Sequence, residues 1–310
     1  MILLGSPKNT TQKIIKVIFV SCLAVVLVVG YLLSNAKPAQ STAAVEASMS
    51  EVVVKNPVAN EPQPRKAMAE IIDIKAPAAI SVKIGTGENA ILLGKNETQP
   101  LPIASLTKLM TALVVLENYD LDKKIVVTDA AMAEAGQQGS LKAGELLSVK
   151  DLLYITLIES SNRAAYALTE AMGPEKFVET MNAAATRLGL VDTRFADSTG
   201  LSSDSYSSAQ DIATLSSHLL NRQSLFLEII GLKEYDLYDS DGQLHHRLIN
   251  TNELLGQVDG VIGGKTGWTP EAKGCFMVIE KSPDGTGYII SVVLGSDDRF
   301  TEIQKLINSR

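Results

Sequence analysis

The chain has 310 residues, of which 45% are hydrophobic and 20% are charged. This composition is typical of a globular protein and excludes a disordered, collagen-like or coiled-coil chain. The formal net charge of −7 and the lack of a Lys/Arg-rich run argue against nucleic acid as a partner. Two cysteines and three histidines are too few for a zinc framework or a disulfide scaffold, so we expect neither a metal nor a cofactor.

The N-terminal region differs from the rest of the chain. Residues 17–33 are apolar apart from Ser21, and a helix of that length reaches roughly 26 Å, close to the hydrocarbon core of a membrane. Three lysines precede the run, and the first acidic residue is Glu46. We predict a basic cytoplasmic tail over residues 1–16 and a transmembrane signal anchor over 17–33. A cleaved signal peptide is the alternative, because Ser34-Asn35-Ala36 offers small residues for cleavage.

The remainder divides into a tether and a folded part. Residues 34–73 are rich in Ala, Pro, Ser and Glu and lack apolar periodicity, which predicts a flexible extracytoplasmic linker. Residues 74–310 are long enough for one folded domain with a substantial core.

Strands lie at both ends of the predicted domain, with helices between them. Alternation and turn residues predict strands over 79–84, 90–95, 275–280 and 288–294, the first two joined by a hairpin at 85–87. Apolar periodicity predicts helices over 105–117, 150–158, 164–172, 174–188, 209–221 and 300–307. We therefore predict an α+β fold in which N- and C-terminal strands form one antiparallel sheet, flanked by helices and carrying an inserted helical lobe.

The first candidate motif is Ser105-Leu106-Thr107-Lys108. Three positions apart on a helix, Ser105 and Lys108 share a face within about 5–6 Å. A neutral lysine could take the serine proton, but a free lysine has a pKa of about 10.4, so burial and a second cation would have to lower it. Alone the motif is weak, since 34–37 also matches it and Ser105 could simply cap the helix.

The second motif, Ser160-Ser161-Asn162, lies between two predicted helices, where a loop can present a hydroxyl and an amide to a cleft. The alternative is that these residues only separate two helices and cap the second one.

The third motif is Lys265-Thr266-Gly267, in which the lysine and threonine suit a substrate carboxylate and the glycine allows close approach of a substrate backbone. A P-loop is excluded because Asp259 stands where its first glycine is needed, and residues 268–270 predict a turn instead of a helix.

Together the three motifs resemble those of the penicillin-recognising serine enzymes, in the order S-x-x-K, S-x-N, K-T-G. Residues 102–112 (PIASLTKLMTA) and 259–269 (DGVIGGKTGWT) are similar to segments of the serine-type D-alanyl-D-alanine carboxypeptidases, which are low-molecular-mass penicillin-binding proteins. The resemblance extends over about 74–310. It implies the β-lactamase/transpeptidase-like fold.

The resemblance also implies an activity and its residues. The enzyme would remove the terminal D-alanine of peptidoglycan stem peptides through an acyl-enzyme on Ser105, with Lys108 as general base and Ser160 as proton relay. β-Lactam antibiotics would react with the same serine, and the catalytic domain would lie outside the bacterial cytoplasmic membrane. The residues implied to bind substrate are Asn162, Lys265, Thr266, Gly267, Trp268 (through its backbone N–H in the oxyanion hole) and Arg299, which is the best match for an arginine near the substrate carboxylate.

Three alternatives stay open. A DD-endopeptidase of the same family cuts D-amino-acid amides with the same residues. A class A β-lactamase adds a glutamate between the second and third motifs, and residues 192–206 contain no glutamate. A non-catalytic cell-wall binding protein would not be labelled covalently by penicillin. His218, His245 and His246 lack metal or triad spacing, and we expect them to be surface or packing residues.

Overall fold

The computed structural model describes residues 73–85, 89–136, 138–239 and 241–309. The predicted tail, the predicted anchor and almost the whole predicted linker lie outside the described residues, as does most of the turn that joins the first two strands. Within the described ranges, no helix combines the length and the apolar character needed to cross a membrane.

The elements follow one another along the chain as strands, a helical region, and strands again. In chain order they are β1 (Ala78–Ile84), β2 (Ala90–Lys95), β3 (Leu101–Pro102), a 3-10 turn (Ala104–Leu106), α1 (Thr107–Asn118), β4 (Lys124–Val126), α2 (Asp129–Ala133), β5 (Leu146–Ser148), α3 (Val149–Ile158), α4 (Asn162–Thr169), α5 (Pro174–Arg187), β6 (Tyr206–Ser207), α6 (Ala209–Arg222), α7 (Ser224–Ile230), β7 (Glu234–Tyr238), β8 (Leu244–Ile249), β9 (Val261–Thr269), β10 (Lys273–Lys281), β11 (Tyr288–Ser296) and α8 (Arg299–Asn308).

The main sheet confirms the predicted α+β fold. Its order is β2-β1-β11-β10-β9, and each neighbouring pair is antiparallel. The first strand of the domain pairs with the last, with Ala78 opposite Leu294. Because both faces of β11 are covered, its sequence is an almost unbroken apolar run and does not alternate between polar and apolar residues. Val292 and Leu294 pack into the core shared with the helical lobe, whereas Val293 packs into the core under α8.

The helical lobe is centred on α1, which is buried on all sides from Thr107 to Val115. Side-chain caps fix where several surrounding helices begin. Ser148 and Asp151 form a capping box at α3, and Ser208 accepts a hydrogen bond from the backbone N–H of Asp211 at α6, as its spacing predicts. These caps fix the first turns of two helices that pack against α1.

Some predicted boundaries are wrong. The helix expected over 164–172 spans Asn162–Thr169. Trp268 and Thr269, predicted to lie in a turn, are the last residues of β9. The glycines of β9 hide its strand pattern, because they carry no side chain to alternate. A Cβ at Gly263 would meet the Ile230 side chain at 2.8 Å, so packing excludes the side chains that would have signalled a strand.

Candidate active site

The nucleophile candidate lies just ahead of α1, in the 3-10 turn. Ser105 is half-buried, and Ala104 before it adopts a left-handed backbone with φ of 46°. The residue that caps α1 is Leu106, and no side chain donates or accepts a capping hydrogen bond there. The alternative in which Ser105 only caps the helix is therefore wrong. Its hydroxyl faces Lys108, with Lys108 Nζ 2.8 Å from Ser105 Oγ.

Lys108 is fully buried and has three polar contacts. Besides Ser105, its Nζ donates to Asn162 Oδ1 at 2.6 Å and to the carbonyl oxygen of Thr199 at 2.8 Å. Both of these oxygens can only accept. A neutral amine has two hydrogens and one lone pair, so satisfying both acceptors leaves the lone pair directed at Ser105 Oγ. This is the geometry of a general base next to its nucleophile.

Burial favours the neutral form of the Lys108 amine. Desolvation lowers the pKa of Lys108 to about 7, against the weaker opposing charges of Asp197 and Glu134. Burial, and then the charges of Lys108 and Arg299, hold the pKa of Lys265 well below its ordinary range. Repulsion between two cations is mutual, so the Lys108–Lys265 interaction disfavours the charged form of both lysines.

The loop between α3 and α4 carries the second motif. Ser160 has a left-handed backbone with φ of 63°, and its Oγ accepts a 2.7 Å hydrogen bond from Lys265 Nζ. Ser161 caps α4 and donates through Oγ to the carbonyl oxygen of Gln138 at 2.7 Å. Asn162 Nδ2 donates to the carbonyl oxygen of Ala135 at 2.8 Å. The loop is therefore held from both sides and presents Ser160 and Asn162 to the two lysines.

The third motif lies on β9, at the edge of the main sheet. A Cβ at Gly267 would come within 2.9 Å of the backbone nitrogen of Ser105, so only glycine allows this strand to lie so close to the nucleophile. Thr266 Oγ1 donates to Thr251 Oγ1 at 2.7 Å. Trp268 follows directly, with 60% of its surface exposed.

Arg299 begins α8 beside this strand. Its Nη1 donates a long 3.4 Å hydrogen bond to the carbonyl oxygen of Gly267, and its Nε is buried without a hydrogen-bond partner. The guanidinium thus lies beside the edge strand with donors left over. In the described part of the chain, no group of three or more His, Cys, Asp or Glu side chains is arranged to hold a metal ion.

Residues 197–200, which contact Lys108, belong to none of the three motifs. Thr199 supplies a carbonyl acceptor, and Gly200 has a φ of +82°. A Cβ on Gly200 would lie 1.8 Å from the carbonyl oxygen of Ala104, so the segment lies against the nucleophile turn. Asp197 holds the bend by accepting from the backbone N–H groups of Thr199 and Gly200. The available signal was the Asp-Ser-Thr-Gly sequence, which is typical of a tight turn.

Comparison with known proteins gives consistent matches. A model of the D-alanyl-D-alanine carboxypeptidase family matches residues 63–298. The D-alanyl-D-alanine carboxypeptidase DacF of Bacillus subtilis (strain 168) is 34% identical over 245 residues, which are 76% of this chain and 61% of that protein. A D-alanyl-D-alanine endopeptidase of Pseudomonas aeruginosa is 29% identical over 269 residues, or 80% of this chain and 81% of the relative. The chain thus spans less than two thirds of the Bacillus relative.

The fold has close matches among solved structures. The crystal structure of the Streptomyces K15 DD-transpeptidase matches with a TM-score of 0.70 and 31% sequence identity, over 76% of this chain and 97% of that one. The matched region includes a mixed architecture of helices around an antiparallel sheet, as described above.

Proposed function

We infer the function of this chain from two facts: it belongs to the D-alanyl-D-alanine carboxypeptidase family, and the Nζ of its buried Lys108 lies 2.8 Å from the hydroxyl oxygen of Ser105. The proposed reaction is removal of the terminal D-alanine from peptidoglycan stem peptides through an ester on Ser105. The lysine–serine contact is the observation that carries the proposal, because a binding protein has no use for a buried amine facing a hydroxyl.

Acylation begins with proton transfer from Ser105 Oγ to neutral Lys108 as the oxygen attacks the carbonyl carbon of the penultimate D-alanine. The backbone N–H groups of Ser105 and Trp268 stabilise the oxyanion, a contribution worth about 3–4 kcal/mol per donor in related acyl transfer. Collapse of the intermediate breaks the C–N bond. Ser160 donates its hydroxyl proton to the departing amine and receives the proton that Lys108 took from Ser105, so both groups are neutral again before deacylation.

Deacylation reuses the same base. After D-alanine leaves, neutral Lys108 takes a proton from water as the water oxygen attacks the ester carbon. The bond from that carbon to Ser105 Oγ then breaks, and Lys108 returns the proton to Ser105 Oγ. With a β-lactam the broken amide belongs to a ring, so the leaving amine stays attached and remains in the pocket. We therefore propose that β-lactams form a lasting adduct on Ser105.

The substrate carboxylate would lie along β9. Thr266 supplies a hydroxyl and Arg299 a guanidinium with a buried, unpartnered Nε, which together suit a carboxylate. Lys265 fixes Ser160, Asn162 orients Lys108 and the substrate amide, and Gly267 allows the substrate backbone to approach. These roles follow from position and chemistry.

An endopeptidase is the second candidate, since one of the relatives above bears that name. Both reactions break the same kind of D-amino-acid amide and differ only in the leaving group, which is a single D-alanine in one case and a cross-linked peptide in the other. The class A β-lactamase alternative finds less support, because residues 192–206 lack the glutamate that the β-lactamase mechanism uses for deacylation.

We also propose that residues 17–33 anchor the protein in the bacterial cytoplasmic membrane, with the N-terminus inside and the catalytic domain outside. The proposal is supported by the lysines before the apolar run and by the location of peptidoglycan. Protease added to intact spheroplasts should digest the domain and spare the tail. A mature protein beginning near residue 36 would instead identify the segment as a cleaved signal peptide.

The decisive experiment uses the full chain and a stem pentapeptide ending in D-Ala-D-Ala, with free D-alanine as the readout. Release should require Ser105, so Ser105→Ala should abolish both release and covalent labelling by fluorescent penicillin while leaving the melting temperature unchanged. A cross-linked stem dimer tests the endopeptidase reaction. Undiminished release by Ser105→Ala would overturn the mechanism, and a wild-type protein that neither releases D-alanine nor binds penicillin covalently would overturn the function.

A further inference from the structure

Four titratable side chains outside the active site form one continuous chain of hydrogen bonds. His245 Nε2 lies 3.1 Å from Glu145 Oε2, and His246 Nε2 lies 3.1 Å from Glu159 Oε2. The two imidazoles meet through their Nδ1 atoms, 2.6 Å apart. All four side chains are only 12–18% exposed. His245 and His246, expected to be surface or packing residues, are thus each paired with a carboxylate.

Each imidazole therefore has a polar partner at both ring nitrogens, a carboxylate oxygen at Nε2 and the Nδ1 of the other histidine. A contact of 2.6 Å between two ring nitrogens is a hydrogen bond in which one proton is shared between the Nδ1 atoms, because two bare lone pairs would repel each other. This shared proton links the two histidine–carboxylate pairs into one network.

This chain ends at the residue before Ser160. Glu159 caps the C-terminus of α3, and Ser160 follows it in the left-handed conformation, which is unfavourable for a residue with a side chain. The segment that leaves β8 makes a second contact here, since the backbone N–H of Thr251 donates to the carbonyl oxygen of Ile158 at 3.1 Å. Two consecutive residues ahead of Ser160 are therefore held by the β7–β8 hairpin.

We propose that His245 and His246 are positioning residues for Ser160, acting through Glu159. Their shared proton ties the hairpin to the end of α3 and so holds Ser160 in the strained backbone conformation from which its hydroxyl meets Lys265. Glu145 anchors the far end of the chain, from the segment that precedes β5. This inference rests on the proposed function, because Ser160 matters only if it transfers a proton during acyl transfer.

The kinetic test compares His246→Ala with wild type in the full chain. In this variant the Glu159 carboxylate loses its hydrogen bond to His246, so Ser160 should be held less precisely. The rate constant for penicillin acylation and kcat for D-alanine release should then fall by roughly 10- to 100-fold, the range that small misplacements of a catalytic group produce. KM should stay unchanged, because Ser160 acts in the transition state. His246→Gln keeps an N–H donor for Glu159, so its acylation rate constant and kcat should fall less than those of His246→Ala. Glu159→Ala combined with His246→Ala should cost no more than either change alone.

His218→Ala is the matched control. His218 is the third histidine of the chain and lies on α6, 3.7 Å from Glu117, away from this network. It should leave both rate constants unchanged. Wild-type kinetics in His246→Ala would overturn the proposal, and so would a loss that falls on KM instead of kcat.

The shared proton can be observed directly. Only three histidines are present, so ¹⁵N-histidine labelling of the full chain gives a simple spectrum. We expect one strongly deshielded proton coupled to the Nδ1 atoms of His245 and His246, absent from His246→Gln and unaffected by His218→Ala. Absence of such a proton in the wild type would overturn the proposal even if the variants fail to fold. If the wild type shows the proton but is not acylated by penicillin, the proposed function fails while the hydrogen-bond chain stands.

Discussion

Lys265 Nζ donates a 2.7 Å hydrogen bond to Ser160 Oγ, and so joins the edge strand of the main sheet to a loop 105 residues earlier in the chain. Through this contact the sheet and the helical lobe meet at the two side chains that flank the nucleophile. The left-handed backbone of Ser160, with φ of 63°, is the local condition for that contact.

Two substitutions at Ser160 should therefore separate stability from activity. Both Ser160→Gly and Ser160→Ala remove the hydroxyl, and we expect acylation by penicillin to fall by about 10²- to 10⁴-fold in each. Glycine tolerates the left-handed backbone, so Ser160→Gly should be more stable than Ser160→Ala by about 1–2 kcal/mol in urea unfolding. Equal stability of the two variants would show that the backbone at this position carries no strain.

The acylation rate should depend on pH through Lys108. Because its pKa is about 7 and the neutral amine is the base, the rate constant should rise about tenfold per pH unit below pH 6 and level off above pH 8. Stopped-flow measurement of penicillin acylation between pH 5 and 9 checks this. A rate that does not change across this range would contradict the assignment of Lys108 as the base.

The free energy of unfolding should also depend on the ionisation of Lys108. Between pH 7 and the ordinary lysine pKa of 10.5, unfolded chains hold a proton at this position and folded chains do not. The free energy of unfolding should therefore increase with pH across that window. The lowered pKa of Lys265 adds a slope of the same sign. Lys108→Met should abolish acylation and reduce the slope without removing it, whereas an unchanged slope would argue against the pKa shift.

Gly200 should tolerate no side chain. In Gly200→Ala the new Cβ would lie 1.8 Å from the carbonyl oxygen of Ala104, so the nucleophile turn must move. We expect a loss of about 3–5 kcal/mol in the free energy of unfolding and strongly reduced penicillin acylation. Gly256→Ala is the control: it has a φ of +70° but open space around the new Cβ, so it should cost only about 1–2 kcal/mol and leave acylation intact. Similar losses in both variants would contradict the close approach.

Arg299 can be tested with matched substrates. If its guanidinium binds the terminal carboxylate, Arg299→Gln should lower kcat/KM for D-Ala-D-Ala peptides by about 10- to 100-fold, as expected for a charged hydrogen bond. The same peptides with an amidated C-terminus should be poor substrates for wild type and variant alike. A variant that still prefers the free acid as strongly as wild type does would remove Arg299 from the carboxylate site.

Much of this molecule follows from local sequence, and the rest depends on contacts between distant residues. The periodicity around α5 and α8 and the apolar runs of β1 and β11 predict those elements within a few residues. The three motifs name residues that do lie together. By contrast, His245 and His246 bind carboxylates that are 100 and 87 residues away, and no local pattern marks such a pairing.

For Lys108, the sequence predicts that burial must lower the pKa, but it does not show which residues bury the amine. The sequence shows that a base is needed, but the extent of burial depends on how Thr199 and Asn162 close around the amine. The sequence analysis did not predict the β7–β8 hairpin, because β8 does not alternate polar and apolar residues and a bulge between Leu237 and Tyr238 interrupts the register.

The place of β11 between β1 and β10 has a consequence for biosynthesis. A growing polypeptide that ends before Tyr288 can form the β1–β2 and β9–β10 hairpins, but it has no strand to join them. The β1–β2 hairpin then has no neighbour in the main sheet, and β9 is left with only its contacts to the helical lobe and the nucleophile turn. The proposed reaction should therefore become possible only after β11 has been synthesised, and products that end before Tyr288 should not react with penicillin.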